Sequence, residues 1–329
     1  MISAQRQRGA ALVTVMLIVA LMVIVASGFV QRTSTSIARV SLLKEDRKLY
    51  WYLEGAQQFV LKILAQDLSD NEQVSLGQYW ATEGLVFPIE DIQVAGEVLD
   101  AQACFNLNAL TTISGDETFE ATDELSPTEL LFKNILMSGD IDEYQASQLL
   151  QALQDWLDED TVPRELGAED GIYEAKTPPY LPANQALLEI SELRAVEGYQ
   201  QSIYHFLEHL SCALPITELV INVNTLKAEQ SPILMALFYP SLSQDDAISL
   251  LDDRPREGYE SIESFVELAS AKGHSLARED FNTLLGLSSQ YFKLRLVAQS
   301  DNSQQEQSAL IYMQDGQAQI LRRQLGIQL

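Results

Sequence analysis

The first thirty residues constrain this chain more than any other segment. A short basic leader with Arg6 and Arg8 ends at Gly9, and an uncharged apolar run extends from Ala10 to Val30. As an α-helix, about 21 residues span roughly 31 Å, close to the thickness of a bilayer core. Basic residues on the leader side hold that end in the cytoplasm. The sequence therefore predicts a single-pass inner-membrane protein whose C-terminal domain lies in the periplasm.

The chain is strongly acidic as a whole. Its 329 residues include 47 Asp and Glu against 21 Lys and Arg, a formal net charge of −26. Phosphate contacts require clusters of Lys and Arg, so this charge argues against a nucleic-acid partner. It suits an extracytoplasmic domain and the binding of hard cations such as calcium. The sequence contains no nucleophile motif, phosphate-binding glycine loop or CxxC pair, so an enzyme is the weakest class.

The apolar run is predicted to continue as an amphipathic helix. Apolar positions recur at steps of mostly three and four from Ile37 to Ile63, and no proline follows the run before Pro88. This spacing is typical of one apolar helix face, so we expect one helix from about Ala10 to Asp67. Alternating apolar and β-branched residues predict strands at Leu85–Val94, Glu97–Asn106, Thr217–Thr225, Tyr291–Ser300, Ala309–Gln314 and Gln317–Gln324.

Two long segments between these strands read as helical. Capping residues and apolar periodicity predict helices at Pro127–Ser138, Asp142–Leu157, Pro232–Phe238, Ser243–Leu251 and Ser261–Ala271. The last strands have their expected partners more than a hundred residues upstream, so the sheet must be assembled around helical insertions. Short helices around turns in these insertions loosely resemble SAM-like or helix-hairpin-helix bundles, without the basic flank that DNA binding uses.

The junction between Gly9 and Ala10 resembles a type IV prepilin-type signal. In that family a prepilin peptidase cuts after the glycine and methylates the new amino terminus, which implies cleavage at Gly9–Ala10 and N-methyl Ala10. Most members carry a glutamate at mature position five, understood to neutralise the amine of a neighbouring subunit, but this chain has Thr14 there. A subunit with no neighbour above it does not need that carboxylate, so Thr14 favours a filament tip. The alternative is a tolerated polar residue that bonds to its own backbone.

A second resemblance covers nearly the whole chain. Its carrying segments, in order, are LYWYLEGAQQF (49–59), CFNLNAL (104–110), LLQALQDWLDEDTVPRELGAEDGIY (149–173), PPYLPANQALLEISELRAVEG (178–198) and INVNT (221–225). Together with the leader they resemble the minor pseudopilin K family of the type II secretion system. The resemblance implies a non-enzymatic subunit in complex with minor pseudopilins I and J. That complex caps the pseudopilus tip, primes its assembly and supports protein export across the outer membrane.

The same resemblance implies an α+β fold, with a pilin-like long N-terminal helix packed on an antiparallel β-sheet and large α-helical insertions. The expected parts are a leader (1–9), a membrane and filament-core helix (10–30), a pilin-like domain (31–110, 216–225 and 288–329), a first helical insertion (111–215) and a second (226–287). Two other functions stay open. One is a minor subunit of a type IV pilus, and the other is a membrane-anchored periplasmic calcium-binding protein.

The acidic segment 155–170 is the candidate metal site. Seven carboxylates fall within 16 residues, and calcium accepts six to eight oxygen ligands from a flexible loop. The spacing does not fit an EF-hand. A solvated acidic loop is the alternative, but the resemblance implies calcium in the helical domain. The predicted ligands are Asp155, Asp158, Asp160, Glu169 and Asp170.

Other side chains carry separate predictions. In an oxidising compartment Cys104 and Cys212 are expected to form a disulfide, with two buried thiols as the alternative. The segment 205–209 reads H-x-x-E-H, an inverted zinc-protease signature, but its place at the end of a short helix favours ordinary histidines. Partner contacts are expected on the long helix, unless these residues pack inside the subunit, at Leu42, Leu43, Tyr50 and Phe59.

Overall fold

One long helix organises the N-terminal part of the chain. In a computed structural model, which describes residues 6–111 and 124–326, helix α1 runs without a break from Arg6 to Asp70. From residue 11 to Leu43 every side chain is exposed, and burial begins only at Leu49. Leu53 and Leu64 are then fully buried against the sheet. The single continuous helix predicted from the sequence is confirmed.

The strands and remaining helices follow in chain order. The strands are β1 (Leu85–Ile89), β2 (Ile92–Asp100), β3 (Phe105–Asn106), β4 (Ser211–Cys212), β5 (Ile221–Asn222), β6 (Leu285–Gly286), β7 (Tyr291–Gln299), β8 (Gln304–Gln314) and β9 (Gln317–Leu325). The helices are α2 (Pro127–Ser138), α3 (Glu143–Leu157), α4 (Asp170–Glu174), α5 (Gln201–Leu207), α6 (Ser231–Leu237), α7 (Gln244–Asp252) and α8 (Ile262–Ala271).

Five strands form one antiparallel sheet in the order β1-β2-β7-β8-β9. Its residues alternate between two faces, as the pleat requires. Phe292 and Leu294 of β7 are buried on the face that carries α1, whereas Lys293 between them lies on the opposite face. Trp80 completes this core with its ring edge against Phe292, at 5.3 Å between ring centroids. The predicted α+β architecture is confirmed.

The first predicted hairpin is placed differently in the structure. The sequence suggested a break near Gly96, but β2 continues through Gly96 and the turn falls at Glu90, which has a φ of 56°. Gly96 is needed because a Cβ atom there would lie 2.6 Å from Leu296 Cδ2. A glycine inside a strand here marks close packing across the sheet rather than a turn.

The predicted strand at Thr217–Thr225 is a second correction. Only Ile221–Asn222 is extended, and it pairs in parallel with β6, outside the five-stranded sheet. The reason is the chemistry of the asparagines, because Asn222 Oδ1 accepts the N–H of Asn224 at 3.0 Å and turns the chain. The segment 216–225 therefore adds no strand to the pilin-like sheet.

The two predicted helical insertions share one hydrophobic core. Helix α2 from the first packs against α6 from the second, and Asn134 donates to the carbonyl of Ala236 at 3.1 Å. Local signals explain where the helices begin. Ser126 and Glu129 form a capping box at α2, and Asp142 accepts two backbone N–H groups at the start of α3. The helical region is thus a single packed unit between β2 and β7.

Candidate functional site

The acidic segment forms a compact loop between α3 and α4. Carboxylate oxygens of Asp158, Asp160 and Glu169 all lie within 4.8 Å of one another. Asp158 ends α3 and Glu169 immediately precedes α4, so both ends of the loop are fixed by helices. The Asp160 carbonyl accepts the side-chain amide of Asn184 at 2.7 Å, which ties the loop to a neighbouring segment. Three of the five predicted ligands are therefore brought together.

Asp155 has a different partner. Arg164 Nη1 lies 2.5 Å from Asp155 Oδ1 and 2.6 Å from Asp158 Oδ2, and the Arg164 backbone N–H also donates to Asp155. A Cβ atom at Gly167 would lie 1.9 Å from Asp155 Oδ2, so the glycine makes room for this buried carboxylate. Asp155 was predicted as a metal ligand, but in the structure its carboxylate forms an ion pair with Arg164. Its role is to hold Arg164 beneath the loop.

Asp170 also differs from the other predicted ligands. It is the first residue of α4 and does not belong to the group of three converging carboxylates. Asp170 is half-buried, and the chain is still extended at Glu169 before the helix begins. Glu169, the residue before it, is the one that turns inward and is buried.

Glu169 carries the strongest signal for a cation. Both of its carboxylate oxygens are buried and have no hydrogen-bond partner among the described residues, and Asp158 Oδ1 is in the same condition. Burial, then the charges of Asp155 and Asp158, raise the pKa of Glu169 to about 7. Burial also raises the pKa of Asp158, against the opposing effect of Arg164. Buried acceptors are normally satisfied, so these oxygens fit the ligand set of a hard cation such as calcium.

Arg164 is a functional residue that the sequence interpretation missed. It is the single basic residue in the segment 155–170 and bridges two of its carboxylates. Burial opposes its charge, but its bonds to Asp158 and Asp155 prevail and raise the pKa of Arg164. The sequence signal that could have identified Arg164 is that it is one cation among seven carboxylates. The positive charge of Arg164 reduces the negative charge that a bound metal would have to balance.

The predicted processing residues lie at the start of α1. The backbone of Gly9 and Ala10 is already helical, while side chains are described from residue 11 onward. Thr14 Oγ1 donates to the carbonyl of Ala11 at 2.9 Å, which is the backbone bonding offered above as the alternative to a tip-specific role. The described helix contains an 18-residue window of mean hydropathy 2.8 with no part buried, long and apolar enough to cross a membrane.

The predicted partner residues lie further along α1. Leu42 is 52% exposed, Leu43 62% and Phe59 55%, whereas Tyr50 is half-buried. Phe59 has its ring edge towards Phe87 of β1, at 6.5 Å between centroids. The apolar surface of α1 therefore continues onto the edge of the sheet. Most of these side chains are therefore not buried inside the subunit.

The two cysteines and the histidine motif are also placed by the fold. Cys104 and Cys212 are joined by a disulfide with 5.9 Å between their Cα atoms, beside the parallel pair β3 and β4. His205 Nδ1 lies 3.0 Å from Glu208 Oε1, and His209 Nε2 lies 3.6 Å from the same oxygen. Glu208 is thus hydrogen-bonded to His205 and lies near His209, and α5 has already ended at Leu207.

Comparisons with known proteins agree on one family. Two family models, both described as type II secretion system protein K, match residues 103–216 and 221–289. The chain is 37% identical to the type II secretion system protein K of Aeromonas hydrophila, over 98% of each chain. It is 34% identical to the putative type II secretion system protein K of Escherichia coli K12, also over 98% of each.

A solved structure is similar as well. It is the crystal structure of the GspK-GspI-GspJ complex from the type 2 secretion system of enterotoxigenic Escherichia coli. The matched chain has a TM-score of 0.76 and 32% sequence identity, and the match covers 88% of this chain and 100% of that chain. The likeness thus extends over most of this chain and the whole of the matched one.

Proposed function

This chain belongs to the type II secretion system protein K family, and from that membership we propose that it is a minor pseudopilin at the tip of the secretion pseudopilus. It assembles with minor pseudopilins I and J, primes pseudopilus assembly and supports protein export across the outer membrane. Its role is structural rather than enzymatic. It is anchored in the inner membrane by its N-terminal helix, with its C-terminal domain in the periplasm.

The uncovered half of α1 is the observation that carries this proposal. Residues 11–43 would form a rod about 50 Å long, and the chain buries none of it. Up to Val30 this stretch is apolar on all sides, and such a helix is stable only in a membrane or among other helices. The other half, from Leu49 onward, packs on the sheet of its own subunit. This division supports a subunit that leaves the bilayer for a bundle of neighbouring helices.

The tip position has two supports. The helical region, which shares one core over residues 103–285, would have to be accommodated at every repeat if this subunit formed the shaft. Thr14 offers no carboxylate to neutralise the amine of a subunit above it, which suits a subunit that has no neighbour on that side. Both features suit a subunit used once, at an end.

The mature N-terminus tests whether the chain enters a filament. We expect intact-mass and peptide mass spectrometry of protein from native membranes to find N-methyl Ala10, made by prepilin peptidase after cleavage at Gly9. An N-terminus beyond the apolar run would mean an ordinary cleaved signal. Retention of Met1 would mean a permanent anchor. Either of these results removes the pseudopilin role.

Co-purification tests the partners. A tagged chain is expected to retain minor pseudopilins I and J, and Leu43→Glu is expected to weaken this through a charge on the exposed side of α1 that Leu43 shares with Tyr50. Ser41→Glu adds the same charge at a neighbouring polar position and serves as the control. Equal retention by the two variants would show that this face does not bind the partners.

We also propose that calcium is held by Asp158, Asp160 and Glu169. The ion would supply positive charge to carboxylates that have no other partner, and would stabilise the fold by binding only the folded state. Isothermal titration of metal-stripped protein should give saturable calcium heat, and chelator should lower the melting temperature. If the heat is absent and the melting temperature is unchanged, these carboxylates form no calcium site.

A further inference from the structure

A cleft of about 710 Å³ lies between the sheet and the helical region. Its floor is the sheet face opposite α1, with Lys293, Leu310 and Arg322, and its far wall includes Ile190 and Tyr204. The volume is in the range of small-molecule and peptide-side-chain pockets. The proposed filament role does not use this cleft.

The floor presents two cations in one row. Strand pairing aligns Leu99 with Lys293, Lys293 with Leu310, and Leu310 with Arg322. Lys293 and Arg322 are therefore two strand spacings apart, or roughly 10 Å between Cα atoms. Both side chains are long enough to converge on one group above the apolar Leu310. The row thus forms a pair of cations with an apolar spacer.

Lys293 has no ionic partner of its own. Within residues 11–111 and 124–326 its ammonium makes no hydrogen bond or ion pair. Its neighbour Arg295 is engaged elsewhere, with Nε 2.5 Å from Glu306 Oε1. Desolvation by the surrounding protein, and then the charges of Arg322 and Arg295, lower the pKa of Lys293. Lys293 is exposed to the cleft, and Glu189 and Glu97 act on its charge without forming an ion pair with it, so its ammonium is available to an incoming anion.

Arg322 is oriented by the opposite wall of the cleft. Its Nη1 donates to the carbonyl of Leu188 and lies 3.8 Å from Glu189. Among the described residues Nε and Nη2 have no acceptor, so the three N–H donors on these two nitrogens remain available. The tether holds the guanidinium at the mouth of the cleft, where an incoming anion would meet it.

We propose that this cleft binds a carboxylate-bearing ligand, with Lys293 and Arg322 holding the carboxylate above Leu310. Charge-assisted bonds from two cations are the strong class of hydrogen bond for such a group. The lining also contains Glu97, Glu189, Glu208 and Glu229, so a singly charged carboxylate fits better than a doubly charged phosphate. The carboxylate belongs either to a polypeptide side chain or to a free small acid.

Calorimetric titration of the full chain in detergent micelles tests this site with three probes. These are the capped peptide acetyl-Ala-Ala-Glu-Ala-Ala-amide, its Gln counterpart, and the monocarboxylate butyrate. We expect saturable binding of the Glu peptide, at least about tenfold weaker in Lys293→Gln and Arg322→Gln. Lys227→Gln is the matched control, because Lys227 lines the same cleft but already binds Glu83 at 2.5 Å. Its affinity should stay within about twofold.

The results of these titrations distinguish a polypeptide ligand from a small acid, and both from the absence of a carboxylate site. Binding of the Glu peptide but not the Gln peptide, with the expected variant pattern, supports a polypeptide source. Binding of butyrate alone with that pattern supports the same site for a small acid. Equal binding of both peptides, equal losses in Lys227→Gln and Lys293→Gln, or no saturable binding of any probe overturns the proposal. Lys293→Gln removes no internal bond, so its melting temperature should match that of the unsubstituted chain.

Discussion

Replacing Glu169 by glutamine should change stability in opposite directions with and without calcium. Without a cation, the Glu169 carboxylate is buried with both oxygens unpaired, and its pKa is about 7. Glutamine has nearly the same shape but no charge to bury. In chelator at pH 8, Glu169→Gln should therefore be more stable than the unsubstituted chain. In calcium it should be less stable, because a ligand of the ion has been removed.

The size of the effect follows from the pKa of Glu169. Raising that pKa from 4.5 to about 7 corresponds to at most about 3 kcal/mol of folding free energy. Water can reach part of the loop, so about 2 kcal/mol is the working expectation. The folded-state pKa lies above the ordinary value. The stabilising contribution of the protonated group is therefore complete below about pH 4.5 and is lost as pH rises through about 7.

Calcium should cancel this loss. An ion present at a hundred times its dissociation constant stabilises the folded state by about 2.7 kcal/mol, comparable with the cost of the ionised carboxylate. In calcium the melting temperature of the unsubstituted chain should therefore fall little between pH 5 and 8. In chelator it should fall clearly over the same interval.

Thermal unfolding at a series of pH values in chelator and in calcium is the assay. The control is Glu165→Gln, which removes the same charge from an exposed position in the same loop. Subtracting the Glu165→Gln curve removes general effects of net charge and of the histidines. If Glu169→Gln destabilises the chain in chelator at pH 8, or if both variants behave alike, the buried and unpaired carboxylate is not the source of the pH dependence.

Three further predictions concern stability and assembly. Arg164→Gln should cost about 3–5 kcal/mol, measured by chemical denaturation, because it leaves the buried partner carboxylates uncompensated. Opening the 108-residue loop by Cys104→Ser with Cys212→Ser should cost up to about 5 kcal/mol, measured by thermal unfolding against the oxidised chain. Leu53→Ala should cost about 2–5 kcal/mol of unfolding free energy, while Leu43→Ala should leave stability within about 0.5 kcal/mol and weaken assembly alone.

Elements with local signals were predicted well. Helix α2 was correct at both ends and α3 within one residue, because Ser126 and Asp142 cap them through bonds to the next few residues. The Thr217–Thr225 strand was wrong because its outcome depends on distant partners. Asn222 donates to Asp100 and to Ser289, which lie 122 and 67 residues away in sequence. The pattern of residues within the segment contains no information about those distant contacts.

The candidate metal site shows the same division. The density of carboxylates in the sequence located the acidic loop, and their spacing allowed five ligands to be proposed. Which carboxylates converge was decided by Arg164, whose pairing with Asp155 and Asp158 is a contact through space. Asp170 lies at the start of α4 and outside the converging group. A list of acidic residues therefore does not say which carboxylates converge when a half-buried arginine pairs with some of them.

The division of α1 has a consequence for assembly. Residues 11–43 contribute no packing to the fold of this chain, and Leu49, Leu53 and Leu64 contribute to its core. Folding and assembly therefore use different parts of one helix. Lipid tails and the helices of neighbouring subunits are both apolar, so exchanging one for the other changes packing rather than exposure to water. Such a subunit can leave a bilayer for a helical bundle without losing any contact that holds its folded domain together.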